Sequence, residues 1–227
     1  MPRRLRRLLL AAVALAVLGV AGALAVFLLR GSDAPPPPRL SGAGTPGAAT
    51  PQATAPAGEE PWKVVTGDPT FAGYRVREEF ASFGVVDAVG RTGQVTGTAR
   101  VDGDRVLGAE LETDMTTLRS DESRRDAALR ERGIETERHP TARFELTGPF
   151  ELSAEPVGAR GRLELHGETR AITARVSGQR IGGDMIELAG SAPIAFGDFA
   201  IEPPSVAGFV TVRDTGRLEF KLRFTRR

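Results

Sequence analysis

The chain has 227 residues, a formal net charge of +1 at pH 7 and no cysteine. Without cysteine it has no disulfides, no thiolate catalysis and no cysteine-based metal site. The near-zero net charge provides no positive field of the kind that attracts nucleic acid, so nucleic acid is not an expected partner.

Residues 1–30 predict a single membrane-spanning helix. Residues 8–29 carry no charged side chain, and at about 1.5 Å per residue a helix of this length crosses a hydrocarbon core of about 30 Å. Arginines at positions 3, 4, 6 and 7 precede it and Arg30 alone follows it, which places the N-terminus in the cytoplasm and the rest outside the cell membrane. A cleaved signal peptide is the alternative, because residues 22–25 resemble a cleavage site. The apolar run continues past them, which favours an uncleaved signal anchor.

Residues 31–60 predict a linker rich in proline, glycine, alanine and threonine. Such a segment buries too little apolar surface to offset its ordering entropy. The prolines at 35–38 should be stiff and extended and the remainder flexible, so the segment is expected to tether a folded domain to the membrane. The alternative is that the proline run is itself a ligand for a protein domain that recognises proline motifs.

Residues 61–227 form one predicted domain of antiparallel strands, because apolar and polar residues alternate along it. The predicted apolar faces are Val95, Gly97, Ala99 and Val101; Leu107, Ala109, Leu111 and Thr113; Phe144, Leu146, Gly148 and Phe150; Leu163 and Leu165; Ile172, Ala174 and Val176; Ile186, Leu188, Gly190, Ala192 and Ile194; and Leu218, Phe220, Leu222 and Phe224. Predicted turns lie at residues 102–104, 166–168, 182–184 and 214–216. Strands joined by tight hairpins favour a closed barrel or a sandwich.

Several apolar faces carry glycine or alanine, as at Gly97, Ala99, Ala109, Gly148, Gly190 and Ala192. Small inward side chains leave room for a ligand, and about eight strands enclose enough space for a small one. The alternative is that they permit sheet curvature or tight packing. Both interpretations stand on composition alone.

A charged segment at residues 113–144 interrupts the strands and predicts one short helix. Ser120 or Asp121 is its expected N-cap and Gly133 its C-terminal stop. Pro140 favours an extended conformation at the preceding residue and leads into the next strand.

Opposite charges four residues apart predict two ion pairs on this helix, Asp121–Arg125 and Asp126–Arg130. We interpret Arg125 and Asp126 as surface ion-pair partners at the barrel rim and not as catalytic residues.

The order of features in this segment resembles the YceI-like family of lipid-binding barrels. The corresponding residues are Thr117, Arg125-Asp126 with Leu129, His139-Pro140 and Phe144, followed by Leu163, Gly167 and Thr169 in the next hairpin. The opening of the domain is similar to a membrane-tethered branch of that family. His139 stands where the family usually has an aromatic residue.

The resemblance implies an all-β fold, an antiparallel lipocalin-like barrel of about eight strands with one short crossover helix. It also implies a binding protein, often dimeric, that holds a polyisoprenoid or fatty chain in an apolar tunnel and needs no cofactor. The candidate tunnel residues are Phe80, Phe83, Met115, Leu118, Leu129, Phe144, Leu146, Leu165, Ile194, Phe196, Phe209 and Phe220.

Two other functions stay open. In the first, the barrel interior is filled with side chains and the domain binds a protein of the cell envelope. In the second, the domain is an enzyme, such as a hydrolase that uses His139 with Asp126 or a glutamate. The chain has only two histidines, His139 and His166, and their spacing matches no standard metal motif, so no metal site is predicted. His139 is expected to pack at the rim, and His166, at a hairpin tip, is expected to be exposed.

Overall fold

The computed structural model describes residues 34–42, 61–80, 84–203 and 210–226. The predicted membrane-spanning segment and most of the predicted linker lie outside these residues. Within the described ranges, no helix combines the length and apolarity needed to cross a membrane.

Short loops connect most of the strands. Their bounds are β1 Trp62–Val64, β2 Phe71–Phe80, β3 Gly84–Thr92, β4 Val95–Asp102, β5 Arg105–Asp114, β6 Arg119–Ser120, β7 Thr141–Leu146, β8 Phe150–Glu151, β9 Val157–Leu165, β10 Glu168–Ile181, β11 Met185–Ala195 and β12 Val210–Thr225.

Eight strands close into an antiparallel barrel, as the sequence predicts. Hydrogen bonds follow the order β1, β4, β5, β7, β9, β10, β11 and β12, and β12 pairs back onto β1. The long β12 also pairs with β2, which continues through β3 to β6. Closure leaves few unpaired strand edges and surrounds an interior to which alternate residues of each strand point.

The predicted two-residue periodicity is confirmed along most strands, and three of the four predicted turns connect neighbouring strands. In the two-residue turn between β9 and β10, His166 and Gly167 have φ angles of 54° and 78°. Positive φ at both central residues is the geometry of the hairpin turn whose twist matches that of the strands.

Two predictions of local register are wrong. Leu107 is 40% exposed whereas Val106 is fully buried, because the pairing of β4 with β5 slips by one residue there. Residues 214–216 form no turn; they lie within β12, where an irregularity in the pairing with β2 falls between Val212 and Gly216. A one-residue slip reverses the face on which the neighbouring side chains lie, which accounts for Leu107.

The predicted crossover helix is present but starts and stops at other residues. Helix α1 spans Ser123–Ala128, and Glu122, rather than Ser120 or Asp121, caps it by accepting a hydrogen bond from the backbone N–H of Arg124. A π-helical turn, Leu129–Gly133, follows directly. Gly133 therefore belongs to the helical segment and does not end it.

The crossover segment, residues 115–140 between β5 and β7, spans one end of the barrel. It leaves β5, pairs with β3 through β6, and returns to β7, the neighbour of β5. Its backbone is tied to the start of β7 by a hydrogen bond of 2.8 Å from Met115 N–H to the Pro140 carbonyl. The crossover segment is therefore hydrogen-bonded to the strands at that end of the barrel.

Part of the predicted linker contacts the outer face of the barrel, which differs from a free tether. We call residues 35–41 the strap. Arg75 donates to the Pro35 carbonyl at 2.6 Å, Arg91 donates to the Pro36 carbonyl at 2.9 Å, and the Ser41 N–H donates to Glu187 at 2.5 Å. Charged outward side chains of the strands supply these bonds, which composition alone did not indicate.

Candidate ligand cavity

A cavity of about 210 Å³ lies inside the barrel. Its walls come from two groups of apolar side chains, one around Val95, Leu222 and Phe224 and the other around Leu163 and Phe196. The cavity therefore extends from the part of the interior that only strands line to the end that the crossover segment spans.

Most of the candidate tunnel residues line this cavity. They are Met115, Leu118, Leu129, Phe144, Leu165, Ile194, Phe196 and Phe220. Leu146 is buried in the adjacent core. Phe83 and Phe209 lie outside the described residues, as does the side chain of Phe80, whose backbone ends β2. Contact of these residues with a ligand stays a prediction.

The small inward residues divide between the two interpretations that the sequence left open. Ala109 and Ala192 line the cavity and so provide space. Gly190 instead accommodates the Phe220 ring, since a Cβ there would lie 2.6 Å from it, and Gly97 (φ 140°) permits close approach of the β5 backbone. Both reasons for small residues, open space and tight packing, therefore apply in one barrel.

Three polar side chains, Tyr74, Glu78 and Arg125, reach the cavity near α1. Arg125 donates to both Glu78 carboxylate oxygens, at 2.8 and 3.1 Å, and to Asp121 at 2.6 Å. The Asp121–Arg125 pair is thus confirmed, and Arg125 also holds the crossover helix to β2. Burial lowers the pKa of Arg125, but the hydrogen bonds and charges of Glu78 and Asp121 together outweigh it, so the pKa is raised and the guanidinium stays charged.

Tyr74, the only tyrosine of the chain, has a buried hydroxyl beside this ion pair. Burial raises the pKa of Tyr74, and the nearby Arg125 charge only partly opposes that effect. The hydroxyl makes no hydrogen bond of good geometry with any described residue. A buried, unpartnered hydroxyl is costly unless something else satisfies it, so a polar group of a ligand fits this position.

Asp126 does not form the predicted pair with Arg130 among the described side chains. Its Oδ1 accepts from the Ser120 N–H at 2.9 Å and from the Ser120 hydroxyl at 2.7 Å. These bonds hold the backbone before α1 in place. Asp126 is therefore hydrogen-bonded to Ser120 and not to His139.

The prediction that His166 is exposed is wrong. Its side chain is only 10% exposed, its Nδ1 lies 2.9 Å from the Phe199 carbonyl and its Nε2 lies 3.2 Å from a carboxylate oxygen of Glu135. The His139 ring lies with its centroid 4.4 Å from that of His166. The turn between β9 and β10 folds against the end of the crossover segment, and no short-range sequence pattern signals that contact.

Tyr74 and Glu78 were missed as cavity residues. Ala72, Tyr74, Val76 and Glu78 alternate along β2 and all line the cavity. That alternation was present in the sequence, but the charged Glu78 in an inward position conceals it. Only the pairing with Arg125 explains why a carboxylate lies there.

A model of the YceI-like domain matches residues 63–224. Among solved structures, a polyisoprenoid-binding domain from Saccharophagus degradans, implicated in plant cell wall breakdown, is 15% identical, with a TM-score of 0.55 over 72% of this chain and 97% of that one. BcnA from Burkholderia cenocepacia is 14% identical, with a TM-score of 0.55 over 67% of this chain and 95% of that one. No curated protein matches the chain significantly. The family match covers the whole barrel from β1 to β12, and the chain belongs to the YceI-like family.

Proposed function

We propose that this protein is a membrane-anchored, extracytoplasmic binding protein that holds one long apolar chain, a polyisoprenoid or a fatty chain, inside its barrel. The observation that carries the proposal is the cavity with mostly apolar walls that the barrel strands, β2 and the crossover segment form together. Burial of each CH₂ group contributes roughly 0.8 kcal/mol, so a long chain binds with few polar contacts.

The size of the cavity supports a slender ligand. Small-molecule pockets are typically about 300–1,000 Å³, whereas this one is about 210 Å³. A single extended chain suits it better than a bulky ring system. An open interior also argues against the alternative of a filled barrel that acts only through its outer surface.

The polar residues near α1 suggest how the ligand is oriented. Tyr74 and Arg125 both reach the cavity there, and the remaining walls are mostly aliphatic and aromatic. We place a polar head group of the ligand at this end, with its chain directed into the barrel. Because the walls are mostly apolar, binding is proposed and not turnover.

A pair of variants on one strand tests the proposal. Ala174 of β10 lines the cavity, whereas Ala171 of the same strand is exposed. Ala174→Phe should narrow the bore and reduce the lipid recovered from the purified full chain, and Ala171→Phe should leave recovery unchanged. Lipid extraction followed by mass spectrometry measures both, and thermal melting checks that Ala174→Phe is folded. Equal recovery from a folded Ala174→Phe variant would contradict a ligand in the barrel.

Anchoring by residues 1–30 is proposed from the uncharged run at 8–29 and the arginines before it. An uncleaved anchor should keep the protein in the membrane fraction through a high-salt wash and leave its original N-terminus intact. N-terminal sequencing of the protein recovered from membranes measures this. A mature N-terminus near Val26 would show cleavage and contradict the anchor.

A further inference from the structure

Both histidines of the chain lie at one place, at the end of the barrel that the crossover segment spans. A nitrogen from each of His139 and His166 and a carboxylate oxygen of Glu135 lie within 4.8 Å of one another. The three residues come from the loop after the crossover helix and from the turn between β9 and β10, so the fold, not sequence proximity, brings them together.

The hydrogen bond to Phe199 defines the state of His166. The Phe199 carbonyl only accepts, so Nδ1, at 2.9 Å, must carry a hydrogen and donate it. In a neutral ring Nε2 then presents its lone pair to a Glu135 oxygen 3.2 Å away. Two acceptors at that distance need a cation between them, either a proton or a metal ion. A backbone carbonyl holding the far ring nitrogen is also the arrangement that orients metal-binding histidines.

Glu135 supplies the carboxylate of this group. Arg138 donates to both carboxylate oxygens, to Oε1 at 3.2 Å and to Oε2 at 3.4 Å, and Oε2 also lies 3.2 Å from His166 Nε2. The carboxylate is thus held by a cation on one side, with Oε2 toward the imidazole ring.

The backbone at this position is unusual as well. Glu135 has a φ angle of 49°, in the left-handed region that residues other than glycine uncommonly adopt. Strain of this kind persists where the surrounding structure demands it, and it concentrates at functional sites. The positive φ of His166 belongs to the hairpin turn between β9 and β10.

We propose that Glu135, His139 and His166 bind one divalent transition-metal ion, with Zn²⁺ as the preferred ion. Two imidazole nitrogens and one carboxylate oxygen suit zinc, whereas Mg²⁺ and Ca²⁺ prefer oxygen ligands only. Tetrahedral bonds of about 2.0–2.1 Å place ligand atoms about 3.4 Å apart, so small side-chain rotations close the set and leave a fourth position for water or another ligand. The neighbours Ile134 and Leu165 line the cavity, so the ion joins the crossover segment to the hairpin beside the proposed ligand.

Titration of the full chain in detergent tests this inference. The chain has no cysteine and no third histidine, so protein purified without a histidine tag offers no competing imidazole or thiolate. After treatment with a chelator, it should bind one equivalent of Zn²⁺ by calorimetry and melt at a higher temperature. It should also give the visible spectrum of tetrahedral Co²⁺, and Mg²⁺ should produce none of these effects.

Variants locate the ion. Glu135→Gln and His139→Ala should each lower Zn²⁺ affinity at least about tenfold and remove the Co²⁺ spectrum. Glu137→Gln removes the same charge from an exposed side chain two positions away, and it should bind as the unaltered chain does. Absence of stoichiometric Zn²⁺ binding, or undiminished binding by both ligand variants, overturns the proposal. Neither result depends on whether a lipid occupies the barrel.

Discussion

At the scale of single residues, the Glu78–Arg125 pair is expected to have a large effect on stability. Both side chains are mostly buried, 11% and 16% exposed, and the pair joins the crossover helix to β2. Removing one partner of a buried pair leaves an uncompensated charge.

Arg125→Ala should therefore lower the free energy of unfolding by about 3 kcal/mol. Arg162→Ala is a matched control, because its pair with Glu145 is 58% and 52% exposed, and exposed pairs contribute about 0–1 kcal/mol. Denaturant unfolding of the two full-length variants measures the difference. Similar small losses in both variants would show that the Glu78 carboxylate does not depend on Arg125.

Residue-level expectations were met where the partner lies nearby in sequence. Asp121 and Arg125 are one helical turn apart, so their pairing followed from spacing alone. Asp126 and His166 were misjudged because their partners, Ser120 and Glu135 with Phe199, depend on how loops fold over the barrel end. A pattern of four-residue spacing carries no information about such contacts.

At the scale of elements, the strap is the feature that composition described least well. Glu187 points outward from β11 yet is fully buried, because the strap covers it. Burial alone would raise the pKa of Glu187, but hydrogen bonds from Ser41 and Arg223 together with the charge of Lys221 outweigh burial, so the pKa is lowered. A lowered pKa means that the ionised carboxylate stabilises the strapped state.

The lowered pKa of Glu187 determines how the stability of the strap depends on pH. The stabilisation is fully present above the ordinary glutamate pKa of about 4.3 and is lost as the pH falls through the lowered pKa of Glu187. At neutral pH, Glu187→Gln should increase hydrogen exchange at Ser41, and the difference from the unaltered chain should vanish in acid. Hydrogen-exchange mass spectrometry at several pH values measures this, with the exposed Glu202→Gln as control. Identical exchange in the two chains at neutral pH would contradict the role of Glu187.

Strands were easier to predict than their irregularities. Alternation over β7, β9, β10, β11 and β12 reflects one buried and one exposed face, which is a property of the strand itself. The slip at Leu107 depends on the partner strand β4, and the glycine at position 216 signals a turn and a bulge equally well. Pairing, not composition, decides between those two outcomes.

At the scale of the whole molecule, closure of β12 onto β1 creates the interior on which the proposed function depends. Closure removes interior edges and leaves a cavity lined mainly by apolar side chains of the barrel strands, β2 and the crossover segment. The family resemblance predicted this architecture because the order of strands, crossover helix and hairpin runs through the entire domain. The length of the cavity and the polar residues at one end depend on side-chain packing, and sequence alone did not define them.

Native mass spectrometry of the full chain, released gently from detergent, tests the central claim most directly. We predict a folded protein carrying one long-chain lipid per barrel, and fragmentation should identify the lipid as a polyisoprenoid or a fatty chain. A folded barrel that carries no lipid, and that takes up none when long-chain isoprenoids and fatty acids are supplied, would contradict the account.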